Sequence, residues 1–277
     1  MTTVAIAAEP VTDAADQATS TSVGKALAIL NAFLGTTNTV LGVSEIARRA
    51  EVAKSTAHRL LTLLEGHGLV ERAGAGWLLG THLFRLGNMV PICRPNHMRD
   101  QALPIMQDLH QASEGMVNLA VPHDGQILYI EKLASREPLD SPAAVGACLP
   151  MYCTALGKAM LAYSPNWLFD TVVAGGLKAR TTGTITNPVD LMRDLGRVRR
   201  AGFAIDNQES KVGLMCIAAP IVKNGRVLGA MSLSLPARHG VPLTLTARVR
   251  RAAEDLSHVI AYEDDVMGFE YRPLNAS

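Results

Sequence analysis

Three residues, Glu51-Val52-Ala53, separate two helical stretches, and a glycine-punctuated hairpin follows the second at once. Ser44 precedes Glu45 and Ile46 as an N-cap whose hydroxyl would accept a backbone N–H, and that helix runs to about Ala50. The next runs from about Lys54 to Glu65, with Ala57, Leu60, Leu61 and Leu64 on one face and Gly66 or Gly68 available for left-handed termination. Residues 69–72 and 77–79 read as short strands around Ala73-Gly74-Ala75-Gly76, small residues that permit a tight turn. Ahead of the pair, Val23, Ala26, Leu27, Leu30, Phe33 and Leu34 recur at helical spacing until Gly35 and the polar run behind it. A core helix, a helix pair and a hairpin make a winged helix-turn-helix.

That domain is expected over residues 22–85. Residues 1–21 carry few large apolar groups and are expected as a disordered arm, because they bury too little surface to offset ordering entropy. Pro91 and Pro95 each remove a backbone donor and restrict the preceding residue, which places a linker at 86–98. Beyond it the pattern alternates. Helices are expected at about 99–113, from Thr154, at 188–200 and from Thr244, with strands at 116–121, 126–133, 203–206, 214–222 and 227–235. This predicts an α+β domain on an antiparallel sheet over 99–266, with 267–277 as a tail.

A formal net charge of +1 argues against general coating of polyanions, so nucleic-acid contact has to come from local charge. Residues 22–90 supply it, with seven lysines and arginines against four glutamates. Nowhere do 18 continuous apolar residues occur, and the mildly apolar start has no basic residue before it. A cytoplasmic protein without membrane contact is expected. Cys93, Cys148, Cys153 and Cys216 lack CxxC or zinc-ligand spacing, so reduced cysteines, no metal and no cofactor are expected.

A major groove admits one α-helix, and the second helix of such a pair presents polar groups at its N-terminal end. Lys54, Ser55, Thr56, His58 and Arg59 meet that requirement, and Ser44 joins them from the preceding helix. Arg59 suits a guanine or a phosphate; the hydroxyls suit phosphates or either base type. Lys25 and Arg72 are candidate backbone contacts from the first helix and the wing. The wing tip, Ala73 to Gly76, has no cation, so a weak wing contribution is expected. A plain solvated helix face is the competing reading of the same spacing.

Four stretches resemble the IclR family of bacterial regulators: Ser22 to Leu30, Lys54 to Leu61, Leu149 to Ala162, and a signature matched by Gly202, Asp206, Glu209, Cys216, Ile217 and Ala218. The aromatic and acidic residues that usually end the signature are replaced here by Val222 and Lys223. The resemblance implies a GAF-like effector domain, a homodimer or dimer of dimers, and double-stranded operator DNA as partner. It also implies a small organic acid as effector, held around Asp206, Leu214, Cys216, Ser232, Ser234 and the helix start at Thr154. Met151 and Leu156 would supply apolar walls, with a core role equally natural for Met151. Physics makes that intelligible, since the free N–H groups of Ala155 and Leu156 at a helix start suit an anion, with Thr154 as cap. Alternation puts Leu228, Ala230, Ser232 and Ser234 on one strand face and Met231, Leu233 and Leu235 on the other. Leu214, Cys216 and Ala218 likewise share a face. Lys158, one turn inside its helix, reads as structural or surface rather than anion-binding. Small side chains at Ala155, Cys216, Ala218 and Ala230 leave room for something larger than a two-carbon acid, so an aromatic acid is admissible.

The function expected is a ligand-responsive transcriptional regulator, a repressor of a catabolic operon, with an activator of the same class as the alternative. An enzyme using Cys216 and Ser232 is the competing class, but no GxSxG elbow, Cys–His pairing or metal cluster is visible. A protein-interaction module built on the winged helix is the other.

Overall fold

In the first unit, Thr21 accepts the Gly24 N–H on its hydroxyl at 3.0 Å and so caps helix α1 (Ser22–Asn31). The chain then turns through Gly35, whose φ of +68° suits glycine, so α1 is shorter than its apolar spacing suggests. Helix α2 (Val43–Arg49) is capped by Gly42, not by Ser44. The reason lies in the preceding backbone. Leu41 exchanges both hydrogen bonds with Trp77 at 2.9 Å, and the helix starts as soon as that bridge ends. Helix α3 (Lys54–Gly66) follows the three-residue connection, in which Glu51 takes a left-handed φ of +54°. Strands β1 (Val70–Ala73) and β2 (Gly76–Leu79) pair antiparallel from Val70↔Leu79 to Ala73↔Gly76. Helix α4 (Thr81–Gly87) is an element the apolar pattern did not announce. Ile29, Ile46, Leu61, Val70 and Trp77 fill one core, each large side chain contributing about 1.5–3 kcal/mol of burial.

The computed structural model describes residues 21–36, 38–90, 97–240 and 242–260. The chain divides into two units between Val90 and Pro91. Residues 1–20, the prolines expected to bracket the linker, Cys93 and the tail 267–277 lie outside the described residues.

The second unit is built on a six-stranded antiparallel sheet in the order β5-β4-β3-β8-β7-β6. Its strands are β3 (Met116–His123), β4 (Gln126–Leu133), β5 (Cys148–Pro150), β6 (Ala204–Asn207), β7 (Leu214–Lys223) and β8 (Arg226–Pro236). Helices α5 (Met98–Ser113) and α9 (Leu243–Val259) cover one face over Val117, Ile217, Met231 and Leu233. Helices α6 (Ala155–Leu161), α7 (Asn166–Ala174) and α8 (Pro188–Ala201) cover the other over Met116, Ala120, Ala218 and Ala230. Asn187 starts α8 by accepting the Val189 and Asp190 N–H groups, and Gly202 ends it at φ +76°. The two sheet faces follow the period-2 alternation of the sequence except at two bulges, one at Ile130 of β4, passed over between Leu119↔Glu131 and Ala120↔Tyr129, and one in β8. Between Ile221↔Gly229 and Val222↔Val227 the ladder shifts, leaving Leu228 as an extra residue. Leu228 consequently packs with Met231 and Leu233 rather than with Ala230 and the serines. The strand end carrying Val222 and Lys223 stays paired to Lys223↔Arg226.

Candidate functional site

The polar face of α3 is exposed at Lys54, Ser55, His58 and Arg59, and partly so at Thr56, while Ala57, Leu60, Leu61 and Leu64 are buried beneath it. Ala53, which precedes the helix, has no side chain to cap it. The first N–H groups of this 13-residue helix therefore lack an intrahelical acceptor, and its positive dipole end reinforces Lys54. His58 is exposed yet not isolated: its ring stands edge-on to Trp77 with centroids 6.5 Å apart. Arg72 lies over the same indole at 4.4 Å, with Glu65 3.8 Å away, so the wing cation packs against the helix that precedes it. Lys25 is half-buried on α1. Ser44 is exposed within the first turn of α2.

Two of the cations counted from sequence share one acid. Arg48 and Arg49 both bond Glu45, at 2.6 and 2.7 Å, and those bonds hold its carboxyl down at about 2. The positive charge left on this unit is concentrated in Lys25, Lys54, Arg59 and Arg85, none of which forms an ion pair among the described residues.

The second unit brings together eight of the nine residues proposed around an effector. Thr154, Ala155 and Leu156 at the start of α6 share a cavity with Asp206, Leu214, Cys216, Ser232 and Ser234. Thr154 works in both directions: its hydroxyl donates to the Pro150 carbonyl at 2.9 Å and accepts the Gly157 N–H at 3.1 Å. The first N–H groups of α6, on Ala155 and Leu156, are left without intrahelical acceptors. Met151 is the exception. It is fully buried in the core under α6, where a Cβ on Gly157 would stand 2.3 Å from its backbone.

Sequence reasoning missed Tyr129, Leu149 and Ser210 in the lining, and the loop residues Ser141 and Pro142. It also missed Asn118, a buried amide on β3 that donates to Ser232 Oγ and Ser234 Oγ at 3.3 Å each. A signal was present, because Asn118 interrupts an otherwise apolar strand. The room expected from small side chains is not open here. Ala218 and Ala230 are packed in the core, and the cavity is about 10 Å³, space for roughly one water molecule. Ser141 and Pro142 belong to the β4–β5 connection, so that loop forms part of the cavity wall.

Asp206 is spent on its own turn, accepting from the Glu209 N–H at 2.7 Å, the Ser210 N–H at 3.2 Å and the Ser210 hydroxyl at 2.5 Å. Burial raises its carboxyl above the usual range, against those hydrogen bonds. Cys216 Sγ lies 3.1 Å from Ser234 Oγ, and burial together with the Asp206 charge pushes the thiol well above its ordinary value. A thiol so held is neutral at physiological pH and a poor nucleophile.

Lys158 is structural, as its position in the helix suggested, but it is not on the surface. Only 1% exposed, its ammonium meets Glu209 Oε1 at 2.5 Å and Asp194 Oδ2 at 2.9 Å. Burial drives Glu209 up to about 7 despite that pairing, and its Oε2 has no hydrogen-bond partner among the described residues. This buried pair ties α6 to the turn that carries Asp206.

Known proteins share both units. Residues 22–74 match the IclR helix-turn-helix domain, and residues 93–258 match the bacterial transcriptional regulator IclR C-terminal domain. The transcriptional repressor IclR of Escherichia coli K12 is 31% identical over 210 residues, spanning 74% of this chain and 76% of that one. A crystal structure of an IclR homolog complexed with 4-hydroxybenzoate, from Microbacterium hydrocarbonoxydans, superposes with a TM-score of 0.78 at 27% identity, covering 86% of this chain and 98% of the other. The Thermotoga maritima IclR structure gives 0.71 at 28% identity, covering 87% and 99%. With a helix-turn-helix unit and a sensing unit that each match the same family over most of their length, the chain belongs to the IclR family of ligand-responsive DNA-binding transcriptional regulators.

Proposed function

We propose that this chain is a cytoplasmic repressor of a catabolic operon whose operator affinity is retuned by a small organic acid, with an aromatic carboxylate as the favoured class. One observation carries the effector part: eight residues from α6, β6, β7 and β8 converge on a single cavity whose lining mixes helix-start N–H groups, hydroxyls and apolar walls. The 4-hydroxybenzoate held by the Microbacterium relative supports an aromatic acid, and the family's named repressors support the sign. In this reading the acid lies toward Ala155 and Leu156, and its far end meets Ser232 and Ser234. Lys54, Ser55, Thr56, His58 and Arg59 face the major groove, with Lys25, Ser44 and Arg72 on phosphates.

A homo-oligomer is part of the proposal. Val23 and Leu27 on α1, and Phe84 and Leu86 on α4, are exposed large apolar groups of the first unit, an arrangement suited to cover by a second copy. Effector binding then shifts the populations of oligomer arrangements that present the recognition helices at different spacings.

The test is fluorescence anisotropy on a duplex enriched from a random library, with and without aromatic and aliphatic carboxylates. Affinity is expected to fall steeply with salt, and Arg59→Ala to weaken specific binding by about 1–3 kcal/mol. Full-strength specific binding by Arg59→Ala overturns the recognition-helix assignment. An acid that binds tightly, by thermal shift, yet leaves operator affinity unchanged overturns the effector reading.

A further inference from the structure

On the second unit, away from the effector cavity, an open groove of about 600 Å³ runs between the end of α8, the β7–β8 hairpin and α9. Arg199, Arg200, Lys223 and Arg250 line it, against one carboxylate, Glu254. Among the described residues Glu254 pairs with Arg250, at 3.7 Å. Arg199 Nε and Lys223 Nζ are bonded to neutral backbone carbonyls, Ala162 for the first and His258 and Ile260 for the second. Arg200 forms no ion pair among the described residues. The Arg250 guanidinium packs over Gly202, its Nε 3.0 Å from where a Cβ on that glycine would stand. Partial negative charge at the ends of α8 and α9 accounts for some of this basic character, but leaves the groove about three charges in excess.

The described chain ends inside this feature. Ser257 and His258 line the groove, and Lys223 holds the Ile260 carbonyl at 3.0 Å. The sequence that continues from there, residues 261–277, carries Glu263, Asp264, Asp265 and Glu270 against the single Arg272. Its first acid comes three residues past Ile260, within roughly 10 Å of extended chain. Charge, sign and reach match.

We propose that the acidic segment 261–277 docks in the basic groove of its own chain, with Glu263, Asp264 and Asp265 against Arg200 and Arg250. The segment thereby shields a strongly positive surface of the sensing unit from other polyanions, and its release is favoured by salt. This inference is independent of the effector reading.

Chymotryptic release of C-terminal fragments from the full chain, followed by mass spectrometry at Tyr262, Phe269 and Tyr271, tests it. Arg200→Glu with Arg250→Glu, or Glu263→Arg with Asp264→Arg and Asp265→Arg, is expected to speed cleavage by roughly tenfold, since cleavage follows the undocked population. Combining both sets is expected to restore slow cleavage. About 0.5 M salt is expected to speed the wild type. Because the second set alters no described contact, it carries the test by itself if the groove variant folds poorly. Unchanged cleavage in that variant, or no restoration in a folded combination, overturns the proposal. Protection that grows with protein concentration also overturns it, by assigning the groove to the segment of a second copy.

Discussion

The ammonium of Lys158 lies 2.5 Å from Glu209 Oε1 in the interior of the sensing unit, joining the helix at the cavity to the turn beyond β6. Charges taken this far from water persist only when paired, and Asp194 completes the arrangement at 2.9 Å. Removing the cation leaves two acids buried together. Lys158→Met is therefore expected to cost about 3–5 kcal/mol of stability, measured by urea unfolding. Adding Glu209→Gln and Asp194→Asn to that background is expected to recover part of the loss.

Glu209 makes the fold sensitive to pH. Its carboxyl titrates near 7 in the folded chain, against 4.5 for an ordinary glutamate. Between those values the folded state binds more protons than the unfolded one, so this group's contribution to stability falls as pH rises from about 4.5 to about 7. Glu209→Gln removes the titration. Thermal melts across that window are expected to show a flatter profile in the variant; an unchanged slope would place the titrating group elsewhere.

Gly157 is the point at which α6 touches the loop before it. A Cβ there would stand 2.3 Å from the Met151 Cα and carbonyl oxygen, distances that only backbone movement relieves. Gly157→Ala is expected to destabilise by about 1–3 kcal/mol and to weaken effector binding, because the Gly157 N–H also fixes Thr154. Gly66→Ala, at a helical glycine with open space around it, is the control; it is expected to be neutral or stabilising by up to about 1 kcal/mol. Calorimetry separates the two.

Arg48 and Arg59 are both basic and both exposed, but Arg48 is bonded twice to Glu45, at 2.9 and 2.6 Å. DNA binding is expected to distinguish them. Arg59→Ala lowers affinity and changes base preference, whereas Arg48→Ala leaves both close to wild type, since its guanidinium is already committed to Glu45. Anisotropy titrations on one duplex and its single-base variants check this, and equal losses from the two changes would contradict it.

Much of this architecture was legible in the sequence because local physics set it. Apolar groups at 3.6-residue spacing marked α3, α8 and α9, and period-2 alternation marked β7 and β8 with the serines on one face. Thr154 was readable as a cap from its position alone, and the structure has its hydroxyl bonded to Gly157. Where reading failed, a distant partner decided. Ser44 is a good capping residue, yet Gly42 caps α2, because a bridge to Trp77, far along the chain, fixes where the extended segment stops. Leu228 obeys alternation by number, yet a bulge against β7 turns it to the other face.

The sequence by itself determined the two-unit organisation, the family and most of the residues that gather at the cavity, since each is written in periodicity or a contiguous motif. Only tertiary structure decided what those residues are free to do. Burial and pairing between elements put Lys158 in an interior ion pair rather than on the surface, placed Met151 in the core, committed Asp206 to the turn behind it and joined Asn118 to two serines of the cavity. Dielectric environment and long-range contacts belong to the folded chain, and no local pattern encodes them.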